Sequence, residues 1–213
     1  MTARDRFDFD ALGPRELYKL LIGAVAPRPI AWVTAVDAQG RVNAAPYSFF
    51  NCLSADPPIL ALGVENHADM RFKDTAANIR ETEEFTVNVV DVANAAAMNV
   101  TAVAFPSGVD ELAEAGLTAA PGLRVRCPWI AEAPVAFECR RRLMLSVGRS
   151  REIVLGMVLA MHARPGLVDE RLHVDPAALD ALGRMGGHGY ATTRDRFDLA
   201  TPSLDAWRAR AAE

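Results

Sequence analysis

Basic charge is the first thing this sequence lacks. Its 213 residues carry 23 Lys and Arg against 27 Asp and Glu, a net charge of -4. A nucleic-acid footprint needs a basic face, so no nucleic-acid partner is expected. Long apolar runs are missing too, and none reaches the length that spans a bilayer. The opening MTARDRFDFDAL is charged from its start and has no apolar h-region. Cysteine is scarce: Cys52, Cys127 and Cys139 are odd in number, far apart and without metal-ligand spacing. Reduced thiols in a cytoplasmic protein are the expectation. His162, His173 and His188 are irregularly spaced with no local carboxylate pattern, so no metal is expected. No internal repeat is seen. Disorder is excluded by a 51% hydrophobic content against 23% charged residues. The length suits a single domain over residues 1–213 with a substantial core.

What is present reads mainly as β-structure with short helices. Pro14 to Ala24 places Leu17, Leu20, Leu21 and Ala24 at helical spacing, with Pro14 in the first turn. Pro27-Arg28-Pro29 ends that helix. Ile30 to Val36 reads as a buried strand, Asp37-Ala38-Gln39-Gly40 as a hairpin turn, and Ile59 to Val64 as a further strand. The first third is thus expected to be an antiparallel meander. Phe85 to Val90 is another strand, and alanine-rich Asn94 to Val103 a helix. Asp110 caps a short helix over Glu111–Ala115, within an irregular excursion spanning residues 104–132. Val135 to Val147 alternates apolar and polar residues, with Arg141 intruding on the apolar face. A bulge or an ion pair at a subunit boundary would explain it. Ile153 to Met161 is apolar on both faces and needs cover on each, from a helix or a second subunit. A short helix over Asp175–Leu182 and a C-terminal tail, 191–213, complete the chain. The glycines of Arg184 to Tyr190 match no Walker or dinucleotide fingerprint.

The stretch Asn43 to Pro58 (NAAPYSFFNCLSADPP) organises the rest. Tyr47, Phe49 and Phe50 suit one extended strand through Asn51, and Ser54-Ala55-Asp56-Pro57-Pro58 forces a corner. Such a corner binds either solvent or a ligand, and the residues alone leave both open. Downstream, Asp74 or Thr75 is a natural N-cap for a helix. A helix start beside Lys73 is either an anion site or simply a capped surface helix.

Several motifs together carry a resemblance. Arg28 to Thr34 (RPIAWVT), Asn43 to Asn51, Ser54 to Pro58 and Lys73-Asp74-Thr75 occur in this order and spacing. With Phe85 to Val89, Pro134 to Cys139 and Met185-Gly186-Gly187 with Tyr190, they resemble the flavin reductase-like family of FMN-binding split barrels, in its flavoredoxin-type branch. The resemblance covers most of Pro14 to Tyr190.

It implies a split β-barrel with short helices packed around it. It also implies an NAD(P)H-dependent flavin oxidoreductase using FMN, with FAD as an alternative flavin. By the same resemblance Tyr47, Ser48, Phe49, Phe50, Asn51, Cys52 and Ser54 line the flavin ring and its chain, and Lys73, Asp74 and Thr75 receive the phosphate. Arg28 and Thr34 border the cleft, while His162 and Gly186 to Tyr190 close the nicotinamide side. The chemistry sits on flavin N5, so no side chain is assigned as general base. A partner oxygenase or other acceptor is implied, with no membrane partner, and the doubly apolar Ile153 to Met161 favours a homodimer. The rival readings are an FMN electron carrier reduced by another protein and a non-enzymatic ligand-binding barrel. Three features depart from the family pattern: the polar loop Glu65 to Phe72, Glu83 at the end of the helix, and Cys52 beside the ring.

Overall fold

Alternation and helical spacing translate directly into elements in the computed structural model, which describes residues 4–211. The ends of the expected 1–213 domain, residues 1–3 and 212–213, lie outside the described residues. Helix α1 (Pro14–Ala24) leads through β1 (Arg28–Pro29) into β2 (Ala31–Val36), β3 (Val42–Tyr47), β4 (Phe50–Ala55) and β5 (Pro58–Glu65). Helix α2 (Asp74–Thr82) precedes β6 (Glu84–Val89), and α3 (Ala95–Val100), α4 (Glu111–Glu114), β7 (Ala119–Ala120) and β8 (Trp129–Ile130) follow. The long strands β9 (Val135–Val147) and β10 (Arg151–Ala163) come next, then α5 (Pro176–Leu179), β11 (Leu182–Arg184), β12 (Tyr190–Thr192) and α6 (Leu204–Ala211). No helix among the described residues is long and apolar enough to cross a membrane.

Seven strands form one antiparallel sheet in the order β3-β2-β6-β9-β10-β5-β4. β3 and β4 are the two edges, yet only Ser48 and Phe49 separate them in sequence. A two-residue link spans only about 7 Å of extended chain. The sheet must therefore curl until its edges meet, which makes the expected barrel. Ala31, Val33 and Ala35 of β2 point inward with Phe85, Val87, Leu62 and Val154, and Ala76 and Ile79 of α2 plug the same core. The opposite face of β2 carries Trp32, which packs with Met98, Leu112 and Ile130 in a second cluster. Both faces of β2 are covered, so all six of its residues are buried.

Several expectations need correction. The strand expected over Asn43–Asn51 breaks at Ser48-Phe49, because the two halves pair with different neighbours, β2 and β5. The meander is therefore interrupted. The N-cap of α2 is Lys73, with extended backbone and a carbonyl that accepts from Ala77, rather than Asp74 or Thr75. The helices expected over 94–103 and 175–182 are shorter, at Ala95–Val100 and Pro176–Leu179. Arg141 sits at a register shift between β9 and β10, and it also pairs with Glu83 within the same chain.

The 104–132 excursion is clamped to the barrel by buried polar side chains. Glu138 of β9 is wholly buried and accepts from the backbone N–H groups of Leu123 (2.6 Å), Arg124 (2.5 Å) and Val125 (3.1 Å). Asn88 of β6 accepts from the Ile130 N–H at 2.9 Å, and Thr34 of β2 donates to the Pro128 carbonyl at 2.5 Å. Burial opposes the Glu138 charge, but hydrogen bonds from His162 and from these three N–H groups outweigh it. The carboxyl is thereby held below its usual range. Replacing Glu138 by Ala leaves three N–H groups unsatisfied and should lower stability by roughly 3 kcal/mol or more, read from urea unfolding. Because the folded-state value is depressed, this contribution is present above the ordinary carboxylate range and is lost as the pH falls through it. The gap between wild type and Glu138→Ala should therefore close on acidification.

Candidate functional site

The bend that joins the barrel edges also builds a concave feature. As β3 gives way to β4, Ser48, Phe49, Phe50 and Asn51 face the end of α1 across a cavity of about 330 Å³. Leu21 of α1 and Val25 just past its end, with Pro27 and Pro29, form its apolar opposite wall. A second cavity of about 290 Å³ lies across the Phe49-Phe50-Asn51 ridge, against β5 and the start of β10.

Arg28 lines the first cavity but is 7% exposed, and four of its five donors are taken. Its guanidinium donates to the carbonyls of Ile22 and Val25 (2.7 Å), capping the C-terminal end of α1. It also donates to the Met185 carbonyl at 3.0 Å and, more weakly, to the Ser48 hydroxyl at 3.5 Å. One side chain thus fastens α1, the bend and the glycine segment to each other. That segment, Gly186 to Tyr190, turns back on itself through a Met185 N–H to Gly189 carbonyl bond, with Gly186 packed close to Gly23. Cys52 and Ser54 continue along β4, where Cys52 is exposed and Ser54 half-buried. Leu53 between them is the extra residue of a register shift and is 61% exposed.

The start of α2 reaches this region through Tyr47. Thr75 is buried and its hydroxyl donates to Asn43 Oδ1 at 2.8 Å, which ties α2 to β3. Four residues further along β3, Tyr47 is held by burial at a pKa pushed up to about 12, an effect opposed by a Thr75 hydrogen bond. Glu111 accepts from the Ala44 N–H at 2.9 Å, and burial raises its carboxyl. With Asp74 it makes the inner side of this junction acidic. What α2 offers an anion is therefore the free N–H groups of its first turn and the half-buried Lys73, since the Thr75 donor is already engaged. Thr75 lines neither cavity.

Two of the expected residues lie apart. Thr34 is wholly buried beneath Pro128, and His162 bonds Glu138 at 2.5 Å and stacks on Trp129 with ring centres 4.7 Å apart. Both belong to the clamp on the excursion. The residues that sequence reasoning missed are the wall of Leu21, Val25, Pro27 and Pro29, and Arg151 over Phe49. The Pro27-Arg28-Pro29 run was a usable signal for that wall, but Arg151 lies too far along the chain to give a local one. No cluster of three or more metal-ligating side chains forms among the described residues.

Comparison with known proteins agrees with this architecture. A family model described as flavin reductase like domain matches residues 23–182. A Deinococcus radiodurans protein is 46% identical over 209 residues, covering 95% of this chain and 92% of its own. The crystal structure of nitrilotriacetate monooxygenase component B from Bacillus cereus superposes with a TM-score of 0.90 at 31% identity, covering 93% of this chain and 100% of that one. That of 2-nitrobenzoate 2-nitroreductase from Pseudomonas fluorescens gives 0.85 at 35% identity, covering 94% and 98%.

Substituting Tyr47 by Phe tests the electrostatics of the junction. The phenol is raised from its ordinary value near 10 to about 12, so the neutral form is favoured in the fold. Its contribution is complete below about pH 10 and is lost as the pH rises towards 12. Urea midpoints should fall more steeply over that window in the wild type than in Tyr47→Phe.

Proposed function

Because the chain belongs to the flavin reductase-like family, we propose that it is an NAD(P)H-dependent flavin reductase that holds FMN between the β3–β4 bend and the start of α2. The observation that carries this reading is an apolar cavity at Phe49 and Phe50, next in sequence to Tyr47, whose phenol meets Thr75 at the helix start beside Lys73. The residues fit the group. A flat, largely apolar ring suits walls of Leu21, Val25, Phe49 and Phe50, and an anion suits free N–H groups with a lysine.

Bound flavin supplies the hydride chemistry at N5. The chain supplies binding and electrostatics. The Cys52 N–H is taken by Asn51 Oδ1 at 2.8 Å, but β4 is an edge strand, and an edge presents other N–H groups unpaired. These are preorganised donors for negative charge on a ligand lying along them. Tyr47 stays protonated at neutral pH, so it is available as a donor between the ring and phosphate ends. Lys73 offsets the negative charge of Asp74 and Glu111 at the phosphate end. Ser48, Cys52 and Ser54 border the ring and its chain, and Arg28 keeps the α1 wall in place rather than binding the phosphate.

The likeness to a monooxygenase component supports a partner oxygenase as electron acceptor. The likeness to a nitroreductase supports a second reading in which a small organic acceptor is reduced directly, and the open cavities beside Phe49 favour it. A homodimer is supported by the exposed apolar side chains of Leu143, Leu145 and Val147 on β9 and Met161 on β10. A cytoplasmic location follows from reductase work with NAD(P)H.

Two measurements test the reading. Anaerobic NADH or NADPH should bleach the absorbance of the FMN-loaded protein rapidly, and a flavin left oxidised by both would favour the electron-carrier role instead. Lys73→Ala should weaken FMN binding by about tenfold, the scale of one charge-assisted hydrogen bond, and leave riboflavin binding unchanged. Equal losses for both ligands would place the phosphate elsewhere.

A further inference from the structure

The two cavities differ in the chemistry of their single charged side chain. Among the residues that line them, Arg28 is the charged group in the first and Arg151 in the second. Arg28 spends its donors on backbone carbonyls. Arg151 instead lies over the Phe49 ring, its guanidinium carbon 4.4 Å from the ring centre. Among the described residues its one ionic neighbour is Glu65, a loose contact at 3.8 Å to a carboxylate that is 57% exposed. An arginine stacked by its face keeps its N–H edge free, and that edge matches a carboxylate in two parallel hydrogen bonds.

The stack is seated firmly. Gly63 of β5 donates to the Phe49 carbonyl at 2.7 Å, and a Cβ at Gly63 would come within 3.2 Å of the Phe49 Cβ. A glycine at that point lets Phe49 settle against β5, which fixes the platform for Arg151. Apart from Asn51, whose Oδ1 accepts from the Cys52 N–H, the rest of the lining is apolar, with Phe50, Leu62 and Ile153 its large side chains. One cation with no second lysine or arginine in the lining balances one negative charge, not the two of a phosphate.

We propose that this second cavity binds an aromatic carboxylate. The ring of the ligand lies against Phe49, Phe50 and Ile153, and its carboxylate takes the Arg151 fork. The site deepens the reading of the flavin-binding cavity next to it, and rests on that reading for what the bound acid is used for, though not for the binding itself.

Benzoate is the probe, with benzamide as its neutral counterpart, titrated calorimetrically into the full-length protein with and without FMN. Benzoate should bind, and Arg151→Ala should weaken it by about tenfold or more, equivalent to about 1.4 kcal/mol. Benzamide binding should be unchanged by the substitution, and Arg151→Lys should recover part of the benzoate affinity. Glu65→Gln, on an exposed side chain, removes the competing carboxylate and should tighten benzoate roughly twofold, which keeps the test open if the arginine variants fold poorly. Absence of benzoate binding, or equal losses of benzoate and benzamide, would overturn the proposal. So would an unchanged benzoate affinity in both Arg151→Ala and Glu65→Gln. Failure of FMN to bind while benzoate still responds to Arg151 would overturn the flavin reading and leave this one standing.

Discussion

Two residues, Ser48 and Phe49, carry the chain from one edge of a seven-stranded sheet to the other. So short a link leaves the sheet no choice but to close, and closure places the bend on the rim beside the end of α1. The concavity of this region follows from that constraint. The same closure brings β3 over the start of α2, where Thr75 and Asn43 lock the two together. A longer connection would let the edges splay, and the apolar wall and the helix start would no longer lie against one strand.

Around this bend the charged groups divide their work by how many donors they have left. Arg28 is buried with four of its five N–H donors engaged, a fastener between α1, the bend and the Met185 turn. Arg151 is stacked and nearly unspent. Glu138 is buried and saturated by backbone N–H groups, which explains why a carboxylate is tolerated on the outward face of a central strand. In each case the number of satisfied hydrogen bonds decides between scaffold and site more clearly than residue type does.

Much of the fold was legible in the chain. Pro14 and the leucine spacing gave the bounds of α1, and alternation broken only at Arg141 gave β9 from Val135 to Val147. Asp110 announced its own helix by capping Leu112 and Ala113. The break at Ser48-Phe49 was not legible, because aromatic residues in a row look the same whether a strand continues or changes partner. Nor was the position of Thr34 and His162 within the clamp, since their partners Pro128, Glu138 and Trp129 come from distant segments. Family resemblance grouped Arg28 with the cleft, and it does line the cavity. What the sequence hides is that its donors go to the backbone carbonyls of Ile22, Val25 and Met185.

The clamp on the excursion bears on how the molecule meets proteases. Residues 116–128 have little regular structure and would ordinarily be an easy target, since cleavage needs a backbone that can be drawn out into an extended form. Here Glu138 and Thr34 hold that backbone against the barrel, and Asn88 anchors Ile130 just beyond it, so drawing it out means breaking several buried hydrogen bonds at once. The first cuts under mild digestion therefore belong in the exposed segment around Phe197 and Leu199, leaving a trimmed barrel with its excursion intact.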